Sequence, residues 1–159
     1  GFAKWQAEKR NTEQGASKAK PVVVPELKVR EDRLATMDNV GLAIKDKKTT
    51  VVDARGPDYF KGEKKADVVK KAGHLPDAVN MPVETCVSDT SALKSWDELQ
   101  QIAASSNVSK DAPVITYCNT GRSASAAYLV LRLLGYENVS MYDGSMAEWT
   151  ADDSRPVEK

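Results

Sequence analysis

At 159 residues the chain has the length for one core with a small appendage, and its 23 basic and 23 acidic side chains leave no formal net charge. That balance excludes a global attraction to nucleic acid or an anionic membrane surface, and no apolar run approaches the roughly 20 residues of a membrane span. Two cysteines, Cys86 and Cys118, are too few for a disulfide framework or a cysteine-only metal site, and the lone His74 adds no zinc-ligand spacing.

The first segment, "GFAKWQAEKRNTE" (residues 1–13), has a counterpart in "GSMAEWTADDSRPVE" (residues 144–158). Setting Ala3 and Trp5 on Ala147 and Trp149, with a one-residue gap, also brings Arg10 onto Arg155 and Glu13 onto Glu158. Such a repeat reads as residues 1–13 being the tail of a preceding homologous domain. The competing reading is an amphipathic N-terminal helix of the same domain. A polar, small-residue stretch follows, so residues 14–25 are expected to form a linker and residues 26–159 the main domain.

From Val22 onward, short apolar runs alternate with helical periodicity. "VVVPEL" (Val22–Leu27) is a strand candidate that Pro25 restricts to a sheet edge. A helix is expected over Asp32–Asp46, then strands over Thr49–Arg55 and Asp77–Pro82. Ser95–Ser106 reads as a helix with Ser95 as N-cap and Glu98 as its capping-box partner. Ala112–Cys118 is the next strand, and Ala124–Leu134 a helix apolar on nearly every side, a pattern of burial over most of its surface. Gly135 supplies the left-handed residue that ends it, before a last strand at Asn138–Gly144. Strands alternating with helices predict an α/β fold with a mostly parallel central sheet flanked by helices.

Ligands of open α/β sheets bind outside the carboxyl ends of the strands, and Cys118 stands at such an end, at the entrance to a helix. The loop Asn119, Thr120, Gly121, Arg122 and Ser123 is small, flexible and hydrogen-bonding apart from its arginine. Backbone N–H groups of such a loop can converge into an anion-binding nest, and the helix behind adds partial positive charge. Together with Arg122 these favour an anionic sulfur, which makes Cys118 a candidate nucleophile and carrier of a further sulfur atom. A plain core thiol is the commoner fate of a free cysteine, but it needs neither glycine nor arginine in a polar loop.

"VVDARGPDYFKGE", "AGHLPDAVNMP" and "YCNTGRSASAAYLVLRLLGYENVSMYDGSMAEW" occur in an order that resembles the rhodanese-type sulfurtransferase domain, over Val51–Trp149. The repeated tail is similar to tandem-domain members, with this chain holding the catalytic C-terminal domain. The resemblance implies a rhodanese-like three-layer fold and a sulfurtransferase that needs no metal or organic cofactor. In that reading Cys118 takes a sulfane sulfur from a small anionic donor, thiosulfate or 3-mercaptopyruvate, and passes it to a thiol or cyanide acceptor. Asn119, Thr120, Gly121, Arg122 and Ser123 bind the substrate, with Arg122 tilting the donor toward thiosulfate. Arg55 lines the site mouth, while Asp53 braces the loop after its strand. His74, Asn80 and Pro82 are scaffold, Asp143-Gly144-Ser145 part of the pocket rim, and Trp149 a core residue. Cys86 reads as an inert thiol, and the four lysines of Lys64–Lys71 as a solvated face.

Two other classes compete. Cysteine phosphatases and arsenate reductases place an arginine after five intervening residues, where this chain has Ala124, so that chemistry is disfavoured. A non-catalytic rhodanese module for sulfur relay or protein binding commonly lacks the cysteine that is present here.

Overall fold

The computed structural model describes residues 1–18, 20–28 and 30–159. Ala19, inside the expected linker, and Val29 lie outside the described residues. In chain order the helices are α1 (Phe2–Ala7), α2 (Met37–Asp46), α3 (Pro57–Phe60), α4 (Trp96–Ser105), α5 (Arg122–Leu133) and α6 (Ser145–Trp149). The strands are β1 (Thr50–Asp53), β2 (Val79–Asn80), β3 (Val114–Tyr117) and β4 (Val139–Met141), and short 3-10 turns occupy Glu31–Arg33 and Val83–Cys86. The strands form one parallel sheet in the order β2-β1-β3-β4, which is the α/β fold expected.

Strand period sorts the core into two layers. Val52 of β1 and Val114 of β3 face α4 and α5, packing with Leu99, Ala103, Val130 and Leu131. Their neighbours Val51, Ile115 and Tyr117 face α2 and α6, packing with Val40, Met146 and Trp149. A sheet buried on both faces has near-continuous apolar strands, as "VITY" in β3 shows with all four residues buried.

Several elements depart from expectation. The expected helix over Asp32–Asp46 is split, because Leu34 pairs with Met141 and the Ala35 N–H donates to the Met141 carbonyl at 2.9 Å. That extended step adds to the β4 edge, and α2 then starts from Thr36, whose hydroxyl accepts the Asn39 N–H. "VVVPEL" forms no strand; Val22, Val23, Val24 and Leu27 are exposed and pair with no strand of the sheet. α5 is buried on one face only, through Ala124, Ala127, Val130 and Leu131, while Leu129 remains 51% exposed. The capping box of Ser95 and Glu98 on α4 is present, and Gly135 follows α5 at φ +85°.

The lysine segment is more than a solvated face. Lys71 is half-buried, and its ammonium donates to the carbonyls of Asp153 at 2.7 Å and Arg155 at 2.8 Å, tying down the C-terminal segment. His74 is scaffold as expected: its Nδ1 lies 2.8 Å from the Phe60 carbonyl, its ring stacks on Phe60, and its backbone pairs with Glu158.

The two tryptophan segments share their local geometry. Trp149 Nε1 donates to the Pro156 carbonyl at 2.8 Å, and the Arg155 guanidinium lies 5.0 Å from the ring. Trp5 Nε1 donates to the Asn11 carbonyl at 3.0 Å, and Arg10 lies 5.1 Å from its ring, with one residue fewer between. Trp149 is 1% exposed in the core, whereas Trp5 is 45% exposed and α1 buries no residue.

Candidate functional site

β1 and β3 are adjacent and parallel, so their carboxyl ends deliver Asp53 and Tyr117 side by side, followed by Arg55 and Cys118. Asp53 and Arg55 are both buried and joined at 2.5 Å between Oδ2 and Nη2. The Tyr117 hydroxyl donates to Asp53 Oδ2 at 2.7 Å and accepts the Leu75 N–H at 3.0 Å. Arg55 also donates to the Gly73 carbonyl at 2.7 Å and, through Nη1, to Asn119 Oδ1 at 3.3 Å. Burial works against the guanidinium charge, but the hydrogen bonds and attraction of Asp53 outweigh it and hold Arg55 above its ordinary value. Burial first, and the Asp53 charge second, raise the Tyr117 phenol, which stays a neutral donor. Breaking one partner of such a buried pair typically costs about 3–5 kcal/mol, and the network reaches Asn119 through Arg55.

Cys118 opens the turn from β3 into α5 and is 3% exposed. Gly121, the N-cap of α5, has φ +83°, and a Cβ there would collide with the Asp143 carboxylate. From the other side, α6 clips the loop. Met146 and Ala147 donate their N–H groups to the Cys118 and Asn119 carbonyls, each at 3.0 Å. Ser145 Oγ accepts the N–H groups of Cys118 at 3.0 Å and Gly121 at 3.1 Å, and lies 4.0 Å from Cys118 Sγ.

The expected binding residues therefore divide. The N–H groups of Asn119, Thr120, Arg122 and Ser123 have no acceptor among the described residues, whereas that of Gly121 is committed to Ser145. Asn119, Ser123 and Arg55 come together in the wall of a pocket of about 410 Å³, which Tyr59 and Glu84 also line. Thr120 and Arg122 are exposed, and the Arg122 guanidinium has no hydrogen-bond or ion-pair partner among the described residues. Arg55 reaches the pocket as an already paired cation, so what it presents there is an oriented Asn119 rather than a free charge. The lone side-chain hydrogen-bonding neighbour of the Cys118 sulfur among the described residues is Ser145.

Ser145 and Tyr117 are the residues that sequence reasoning missed. Ser145, which the sequence suggests for the pocket rim, is fully buried, and what escapes the sequence is its contact with the loop. Its φ of +52° leaves no mark in the sequence beyond its neighbourhood in "DGS". Cys86 is buried in the α4–α5 layer, and its thiol is pushed up by burial, in keeping with an inert role. Among the described residues no group of three His, Cys, Asp or Glu side chains is placed to hold a metal ion.

The rhodanese-like domain model matches residues 36–152. A Haloferax volcanii protein named "Putative thiosulfate sulfurtransferase" is 40% identical over 135 residues, covering 81% of this chain and 47% of its own length. The Escherichia coli 3-mercaptopyruvate sulfurtransferase is 33% identical over 165 residues, 99% of this chain and 56% of its own. The Thermus thermophilus sulfur carrier protein TtuD is 33% identical over 115 residues, 68% of this chain and 40% of its own. The chain thus spans about half the length of the curated relatives it matches. Among solved structures, the anaerobic ergothioneine biosynthesis enzyme from Chlorobium limicola superposes with a TM-score of 0.88 at 22% identity, over 100% of this chain and 40% of that one, a likeness of fold alone. With the parallel three-layer architecture and the cysteine loop at its carboxyl edge, these matches establish that the chain belongs to the rhodanese-like domain family.

Proposed function

We propose that the chain is a sulfurtransferase domain that moves a sulfane sulfur from thiosulfate to a thiol or cyanide through a persulfide on Cys118. The Cys118 thiolate attacks the outer sulfur of thiosulfate, the sulfur–sulfur bond breaks, and sulfite leaves with the electron pair. An acceptor thiolate or cyanide then attacks the terminal sulfur, becoming a persulfide or thiocyanate and returning the Cys118 thiolate. The observation that carries this reading is the group of loop amides without acceptors at the start of α5, beside the thiol. Those of Asn119, Thr120, Arg122 and Ser123 serve the terminal sulfur, helped by the helix end. Arg122, exposed and unpaired among the described residues, draws in the anionic donor.

Intact mass after incubation with thiosulfate tests the reading. A one-sulfur adduct is expected on wild type and absent from Cys118→Ser. Loading by 3-mercaptopyruvate but not thiosulfate would reassign the donor, a second reading favoured by the likeness to the Escherichia coli protein. No adduct with either donor would leave a binding module. For residues 1–13 we propose the tail of a preceding homologous domain, supported by the shared tryptophan–arginine geometry of α1 and α6.

A further inference from the structure

Ser145 has a task in this fold that the transfer chemistry leaves unassigned. A serine hydroxyl offers two acceptor lone pairs and one proton. Here the two lone pairs receive the Cys118 and Gly121 N–H groups at 3.0 and 3.1 Å, which fastens the first and fourth residues of the loop to one atom. The proton goes to the Tyr142 carbonyl at 2.9 Å, and the Cys118 sulfur stands at 4.0 Å, the outer reach of a hydrogen bond to sulfur. The side chain is fully buried, so no water competes for it, and its backbone holds φ +52°, which an L-residue adopts only at a cost. Packing alone accounts for neither the strain nor the convergence of four polar partners on one hydroxyl.

We propose that Ser145 is a positioning residue for the sulfur on Cys118, fixing the loop through two amides and turning its proton from the Tyr142 carbonyl to the sulfur when that sulfur is ionised. An anion outcompetes an uncharged carbonyl for a donor within reach of both. No bond to carbon or sulfur changes in this step; one hydrogen bond is exchanged for another. The inference rests on Cys118 being the sulfur carrier.

The test uses two full-chain variants in a Cys86→Ala background, so that a single thiol is read. Ser145→Gly and Ser145→Ala both lack the hydroxyl, but glycine accepts the positive φ freely while alanine is strained there. Iodoacetamide alkylation of Cys118 is followed against pH, with urea unfolding alongside. In both variants alkylation at neutral pH is expected to slow about tenfold and its midpoint to move to higher pH, as for loss of a hydrogen bond to a charged group. Both variants lose the buried hydrogen bonds of the hydroxyl, and Ser145→Gly should unfold less easily than Ser145→Ala because glycine carries no strain at this φ. An unchanged profile in folded Ser145→Gly overturns the proposal, as does a change confined to Ser145→Ala, which strain alone would produce. Sulfur loading of the parent by thiosulfate is measured in parallel. Its failure would overturn the carrier reading without touching the alkylation result.

Discussion

Cys118 and Cys86 share a layer of the core and nearly the same burial, 3% and 0% exposed, yet their surroundings differ in kind. Cys86 ends a short 3-10 turn, and burial dominates its thiol, with Thr85 and Lys94 offsetting only part of the effect. Cys118 is followed by amides that lack acceptors, the N-terminus of α5 and the Ser145 hydroxyl. Burial alone silences a thiol by penalising its charged form. Hydrogen-bond donors beside an anion favour its charged form instead, the opposite of what burial does. The two cysteines thus differ in their supply of hydrogen-bond donors rather than in their exposure.

The largest contrast comes from deleting each thiol. Cys118→Ser should abolish sulfur loading from thiosulfate by intact mass, while Cys86→Ala should load fully and lose only about 1 kcal/mol of stability in urea. Loading that survives in Cys118→Ser, or disappears in folded Cys86→Ala, would exchange the roles of the two.

A smaller effect is expected at the rim of the Cys118 loop. Arg122→Ala should raise the KM for thiosulfate roughly three- to fivefold at low ionic strength, with a gap that closes as salt is added, because the exposed charge is screened. Its thermal midpoint should stay where it is. A salt-independent effect would place Arg122 in direct contact with the reacting atoms instead.

The smallest expected signal belongs to Cys86. Its native thiol is raised by burial, so the unfolded thiol, at about 8.5, ionises first as pH increases. The unfolded state then binds fewer protons, and stability falls with rising pH. This contribution is whole below about pH 8.5 and is lost as pH rises through the higher native value. Unfolding free energies measured from pH 7 to 10 should slope downward in wild type and less steeply in Cys86→Ala. Equal slopes would mean that the Cys86 environment is more polar than its packing indicates.

Much of the architecture was legible because it is local. The capping box of Ser95 and Glu98, the left-handed Gly135 and the apolar run of β3 each depend on residues within a few positions of one another. The arrival of Cys118 at a strand-to-helix turn follows from the same short-range patterns, as does the small polar loop after it. Leu34 and Ala35 show where this breaks down: their helical periodicity yields to pairing with Met141, more than a hundred residues away. α5 likewise reads as apolar all round, but the sheet can cover just one of its faces.

For the candidate site, the chain's own order of residues placed a cysteine before a small polar loop with a helix behind it. It did not reveal which loop amides are spent and which are free. That depends on Ser145, 27 residues further along, whose hydroxyl meets the loop only because β3 and β4 lie side by side and end at the same edge. Nor did it reveal that Arg55 arrives already paired with Asp53 and oriented onto Asn119. Hydrogen-bond partners across strands are set by sheet order and register, and those are properties of the packed core rather than of any short window of sequence.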